Sequence, residues 1–162
     1  MITLFYALLL GIGATIVMDV FAVVLKKVWQ IPSLDYALLG RWIGHITKGT
    51  FYHESILKAT PFWKEKQIGW LAHYSIGIAF AYLLLLIWGI DWLSAPTFWP
   101  AMLIGLGTTF APWFIMQPAF GFGVAASKTP NPSLARVRSL QAHFMYGLGL
   151  YVTGWVMAFL LR

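Results

Sequence analysis

Cysteine is absent from the 162 residues, which excludes disulfides, thiolate metal sites and a cysteine nucleophile. Charge is also scarce. Lys, Arg, Asp and Glu make up 10% of the chain, against about 25% in ordinary soluble domains. Only five residues are acidic, so a carboxylate inside an apolar segment stands out. There is no Gly-x-Ser-x-Gly elbow, no His-Glu-x-x-His and no phosphate-cradling glycine loop. His-x-x-His and His-x-x-x-His spacings are missing too. These absences argue against an enzyme, leaving only His and Asp as acid and base on a lipid.

What is abundant is apolar. Hydrophobic residues reach 60%, mean hydropathy is +0.75, and there are nine tryptophans. This is the composition of an integral membrane protein in a single domain, 1–162, with four expected spans. The first covers 2–25 and is expected to remain as an anchor, since no basic start and no small-x-small cleavage site mark a signal peptide. The second covers about 69–90. The third, about 99–117, contains Pro112 and is expected to stop at Gln117 because Pro118 disfavours helix in the residue before it. The fourth runs from near Arg138 to Leu161.

Between the first two spans, Pro32 and Ser33 read as a helix start with Asp35 in the first turn. Leu34, Leu38 and Trp42 then recur four apart, which predicts an amphipathic surface helix over 33–46. A second short helix is expected over 52–59, where Glu54 and Lys58 are spaced for an ion pair. Of the eleven basic residues, seven lie in 26–68, three in 118–138, and only Arg162 on the opposite side. The positive-inside rule makes both basic loops cytoplasmic and puts both termini outside. The net charge of +6 is therefore topology, and no nucleic acid is expected as partner.

Three matches in the same order point to a duplicated hairpin. Gly11-Ile12-Gly13-Ala14-Thr15 pairs with Gly105-Leu106-Gly107-Thr108-Thr109, and Lys58-Ala59-Thr60-Pro61 with Lys128-Thr129-Pro130. Ala72-His73-Tyr74-Ser75-Ile76-Gly77 pairs with Ala142-His143-Phe144-Met145-Tyr146-Gly147. Repeat one covers about 2–90 and repeat two about 97–161. The copies would be parallel, related by a pseudo-two-fold along the membrane normal. The fold class is thus an all-α bundle of four transmembrane helices with a cytoplasmic amphipathic helix.

Ionisable residues inside spans are functional candidates because charge in lipid is costly. Asp19 and Gln117, with His73 and His143, fall within roughly one or two turns of a common level near the cytoplasmic face, at about 1.5 Å per residue. They are the expected ligand- or ion-binding residues, with Arg41, His45, His53 and Glu54 as a lid. Three functions fit. A small transporter-like protein would use Asp19 as charged relay and the histidines as titrating groups for a proton, ion or small ligand. A haem protein would use His73 and His143 as axial ligands, and a divalent-metal protein would add Asp19. A structural or assembly subunit of a larger membrane complex would use the histidines for packing. Four helices make a narrow path, which favours a homodimer.

Several stretches resemble a family of bacterial multi-pass membrane proteins known as a domain of unknown function. They are Gly13-Ala14-Thr15-Ile16-Val17-Met18-Asp19, Tyr36-Ala37-Leu38-Leu39-Gly40-Arg41-Trp42-Ile43-Gly44-His45 and Trp70-Leu71-Ala72-His73-Tyr74. Gln117-Pro118-Ala119-Phe120-Gly121 and Ser127-Lys128-Thr129-Pro130-Asn131-Pro132 belong with them. The resemblance covers nearly the whole chain and implies a bacterial inner-membrane protein. It carries no activity, substrate or catalytic residues.

Overall fold

The computed structural model describes residues 1–160, all of them helix, turn or loop with no β-strand. The expected end of the last span at Leu161, and Arg162 on the outer side, lie outside the described residues. Four helical stretches are long and apolar enough to cross a membrane: Ile2–Trp29, Glu65–Trp88, Phe98–Ala119 and Pro132–Leu160. Only 22% of the most apolar stretch of the first is buried. Phe5, Val20 and Val28 on that helix are each more than half exposed, a surface suited to lipid rather than water.

The first helix, α1, spans Ile2–Trp29, so Lys26 and Lys27 lie inside its last turn rather than ending it. Cations there complement the helix dipole, and Gln30 closes the helix in the left-handed region, its N–H donating to the Leu25 carbonyl. The amphipathic helix α2 spans Tyr36–Ile46 and starts later than expected. Asp35 is its N-cap, accepting from the Ala37 N–H at 3.0 Å. Leu34 precedes the helix and is exposed. The expected helix over 52–59 does not form. Its backbone donors go elsewhere, His53 N–H to the Ala119 carbonyl and Ile56 N–H to the Phe120 carbonyl. Without helical geometry Glu54 and Lys58 lose their adjacency, and among the described residues the ion pair is instead Arg41–Glu65.

Helix α3 spans Glu65–Trp88, four residues earlier than expected. A 3₁₀ segment, Ile90–Ser94, leads to α4, Phe98–Gly107. The helical path then continues past the predicted stop. A π-helical turn covers Pro112–Met116, and a last α-turn, α5, covers Gln117–Ala119. Gln117 is helical despite Pro118 because its N–H reaches back five residues, to the Pro112 carbonyl. The widened turn makes room for the ring, and proline needs no donor at the first position of a new turn. Helix α6 spans Pro132–Leu160 and also starts earlier than expected. Asn131 caps it, its Oδ1 accepting from the Leu134 N–H at 3.1 Å, with Pro132 at the first helical position.

The chain packs as two compact units. The first holds Met1–Ser33, Tyr74–Thr108 and the described residues from Leu140 on. Its core combines Ala7, Leu10 and Ala14 of α1 with Ala81 and Leu84 of α3, Ala101 and Ile104 of α4, and Leu150 of α6. Small residues let backbones touch. A side chain on Gly11 would strike the backbone of Gly77 and Ile78, and one on Gly105 would strike Gly147. Tyr146 Oη donates to the Gly77 carbonyl at 2.6 Å. The second unit holds Leu34–His73 and Thr109–Ser139. Its core is Leu39, Ile56 and Phe120, backed by Trp42, Ala59, Met116 and Phe122.

Candidate functional site

Asp19 and His143 both belong to the first unit. Asp19 Oδ2 accepts a hydrogen bond from Tyr74 Oη at 3.1 Å. His143 Nδ1 lies 3.2 Å from the Gly105 carbonyl and 3.1 Å from Thr108 Oγ1. With Nδ1–H donating to the Gly105 carbonyl the lone pair of the neutral ring lies on Nε2, and with Thr108 Oγ1–H donating to Nδ1 it lies on Nδ1. Thr108 itself sits 2.8 Å from the carbonyls of Ile104 and Gly105.

His73 and Gln117 belong to the second unit. The His73 ring stacks on Tyr36 with centroids 4.0 Å apart, and Trp70 meets both rings edge-on. Gln117 is 7% exposed. Its Nε2 donates to Ser139 Oγ at 3.3 Å, while Oε1 has no partner among the described residues. Two more buried polar atoms on the same stretch are also unpartnered, Thr109 Oγ1 and Trp113 Nε1. Thr109, Trp113 and Gln117 are four apart and share one helical face. Arg138, the residue before Ser139, adds a fourth orphan in its Nε. An unsatisfied polar atom in an apolar setting costs about 1–3 kcal/mol, so three on one stretch demand a physical explanation.

The four residues expected as a lid all fall in the second unit and do different work. Arg41 makes a bidentate pair with Glu65, Nε to Oε2 and Nη2 to Oε1, both at 2.8 Å. Its Nη1 reaches the carbonyls of Ile56 and Ala59 at 3.1 and 3.2 Å. The Glu65 hydrogen bonds, against partial burial, push the guanidinium further above its ordinary value. His45 Nδ1 and His53 Nε2 are 2.7 Å apart, which requires one N–H and one lone pair between them. Glu54 makes no side-chain hydrogen bond or ion pair among the described residues.

No three His, Asp or Glu side chains gather as a metal-binding group among the described residues. Sequence reasoning missed Glu65, Trp113 and Thr109 as polar participants. Glu65 hid because α3 was expected to start at 69, and Trp113 because the expected repeat aligns it with Asp19. The four-residue spacing of Thr109, Trp113 and Gln117 was the available signal.

No curated protein and no solved structure matches the chain. A family model described as "Protein of unknown function (DUF2938)" matches residues 8–157. With all but the ends of the sequence inside that match, the chain belongs to the DUF2938 family.

Proposed function

We propose that this chain is a small multi-pass protein of the bacterial inner membrane that handles a proton, an ion or a small polar solute. Both termini lie outside and both basic loops face the cytoplasm. The observation that carries this reading is the file of buried, unpartnered polar atoms on Thr109, Trp113 and Gln117. Lipid offers such atoms nothing, whereas water or a polar solute would satisfy all three. The hydrogen-bonded Asp19–Tyr74 pair and the oriented imidazole of His143 add groups able to hold or pass a proton.

Two similar hairpins underlie this architecture. In support, the buried residues of α1 are Ala7, Leu10, Gly11, Ala14 and Thr15, and each has a buried counterpart in Ala101, Ile104, Gly105, Thr108 and Thr109. The glycines that admit close backbone contact, Gly11 against Gly77 and Gly105 against Gly147, also correspond between the copies.

The test is flux through proteoliposomes, read with pH- and ion-sensitive dyes and by light scattering for small solutes. Wild-type protein should exceed empty vesicles for at least one species, and Gln117→Leu should lower that flux at least tenfold. Thr109→Val removes an unpartnered hydroxyl at nearly constant shape. It should raise the unfolding midpoint by about 2–4 °C, the equivalent of roughly 1 kcal/mol in a chain of this size, while reducing flux. Flux indistinguishable from empty vesicles across the panel would sink the proposal. A metal or haem role would appear in the same preparation as near-stoichiometric iron, zinc or copper lost in His143→Ala.

A further inference from the structure

The second unit carries a groove with charged residues on its lining that the reading above does not use. Its larger part, about 730 Å³, is lined by Tyr52, His53, Glu54, Ser127 and Lys128 beside the turn at Gly121. An adjoining part of about 400 Å³ shares His53 and Glu54 and adds Lys58. Backbone contacts fix its walls. His53 N–H donates to the Ala119 carbonyl at 2.9 Å and Ile56 N–H to the Phe120 carbonyl at 3.0 Å. Gly121, at φ 84°, lies so close to the Glu54 carbonyl that no side chain would fit there. The groove is therefore preformed.

Its charges alternate. Glu54 lines both parts, with Lys58 in one and Lys128 in the other. None of the three makes an ion pair or a side-chain hydrogen bond among the described residues. His53 Nδ1 is buried and unpartnered, while its Nε2 is engaged by His45. Tyr52 and Val124, both on the lining, are exposed, and a tyrosine ring settles at the level of lipid headgroups.

We propose that this groove holds a phospholipid headgroup carrying a phosphate and a primary ammonium, the phosphoethanolamine type. Lys58 and Lys128 take the phosphate, and Glu54 accepts from the ammonium. This inference rests on the membrane reading above but not on flux through the polar file.

The experiment is retention of lipid by the full chain, counted by native mass spectrometry after exchange against vesicles of phosphatidylethanolamine, phosphatidylcholine or phosphatidylglycerol. Wild type should retain phosphatidylethanolamine at least fivefold over the other two. Glu54→Gln should erase the preference over phosphatidylcholine while keeping phosphate-dependent retention. Lys58→Ala combined with Lys128→Ala should lower all retention; these side chains are exposed, and an unchanged unfolding midpoint confirms that the fold is kept. Equal retention of the three lipids by wild type overturns the proposal, and so does retention untouched by the lysine pair. Displacement of phosphatidylethanolamine by millimolar inorganic phosphate would make the ligand a free phosphate and overturn the headgroup assignment. Extraction of the protein from membranes by alkaline carbonate would instead overturn the membrane reading itself. Gln117→Leu should leave lipid retention unchanged, which separates failure here from failure of the flux proposal.

Discussion

Arg41 places all three of its guanidinium nitrogens on protein acceptors, two on Glu65 and one shared between the Ile56 and Ala59 carbonyls. The pair is 12% and 18% exposed, so removing either member leaves a charge that is largely cut off from water. Arg41→Ala or Glu65→Ala should therefore destabilise the detergent-purified protein by about 2–4 kcal/mol. A double-mutant cycle on the unfolding midpoint should return a coupling of more than 1 kcal/mol, well above an exposed ion pair at about 0.2–1 kcal/mol. Additive single and double variants would refute it. At this scale the sequence was only partly legible. Asp19 and His143 announced themselves by their positions inside apolar runs. Glu65 did not, because its partner is 24 residues away and nothing local distinguishes it from the other loop charges.

Among the elements, the four long helices were legible because runs of apolar residues at this length admit little else. The details that differed all involve backbone hydrogen bonds formed across distance. The 52–59 segment looks helical until its N–H groups are claimed by the Ala119 and Phe120 carbonyls. The third span reads as ending at Gln117, ahead of Pro118, until a π-helical turn accommodates the ring. Capping was half legible: Asp35 was placed in the first turn of a helix starting at 33, whereas it caps a helix that starts at Tyr36. Asp35→Ala should cost about 1 kcal/mol. The glycines offer a sharper contrast. Gly105→Val would drive a side chain into the Gly147 backbone and should cost about 3 kcal/mol or more, measured as loss of the folded, monodisperse species in detergent. Gly107, with open space around its Cα, should accept alanine with a gain of up to about 1 kcal/mol. Equal effects at the two positions would contradict the packing described for α4.

For the whole molecule, the lack of native cysteine becomes an experimental advantage. Single cysteines at Lys48 and Ser127 should react with a membrane-impermeant maleimide only from the cytoplasmic side, and one at Ser94 only from the outside. Labelling of Lys48 and Ser94 positions from the same side would refute the assigned topology. The proposed orientation rests on the distribution of ten of eleven basic residues into two loops, because membrane insertion responds to that asymmetry. The gathering of His53, Glu54, Lys58 and Lys128 around one groove was not legible. The two lysines are 70 residues apart in the numbering, and only the contact between the 53–56 and 119–121 backbones brings their segments together.

The π-helical turn also acts as a vernier on the third span. Four residues of α-helix overshoot a full turn by about 40°, so polar groups set four apart drift around the axis and soon face different neighbours. Four residues taken through a π turn undershoot instead. Placed between Trp113 and Gln117, that undershoot cancels the drift accumulated from Thr109, and three side chains that would have fanned out stay in one line. Deleting Ile115 should restore ordinary winding, but seven residues of α-helix turn through about 700°, within about 20° of two full turns, so Gln117 should keep its place near the line and its effect on flux, with every polar residue still in the chain.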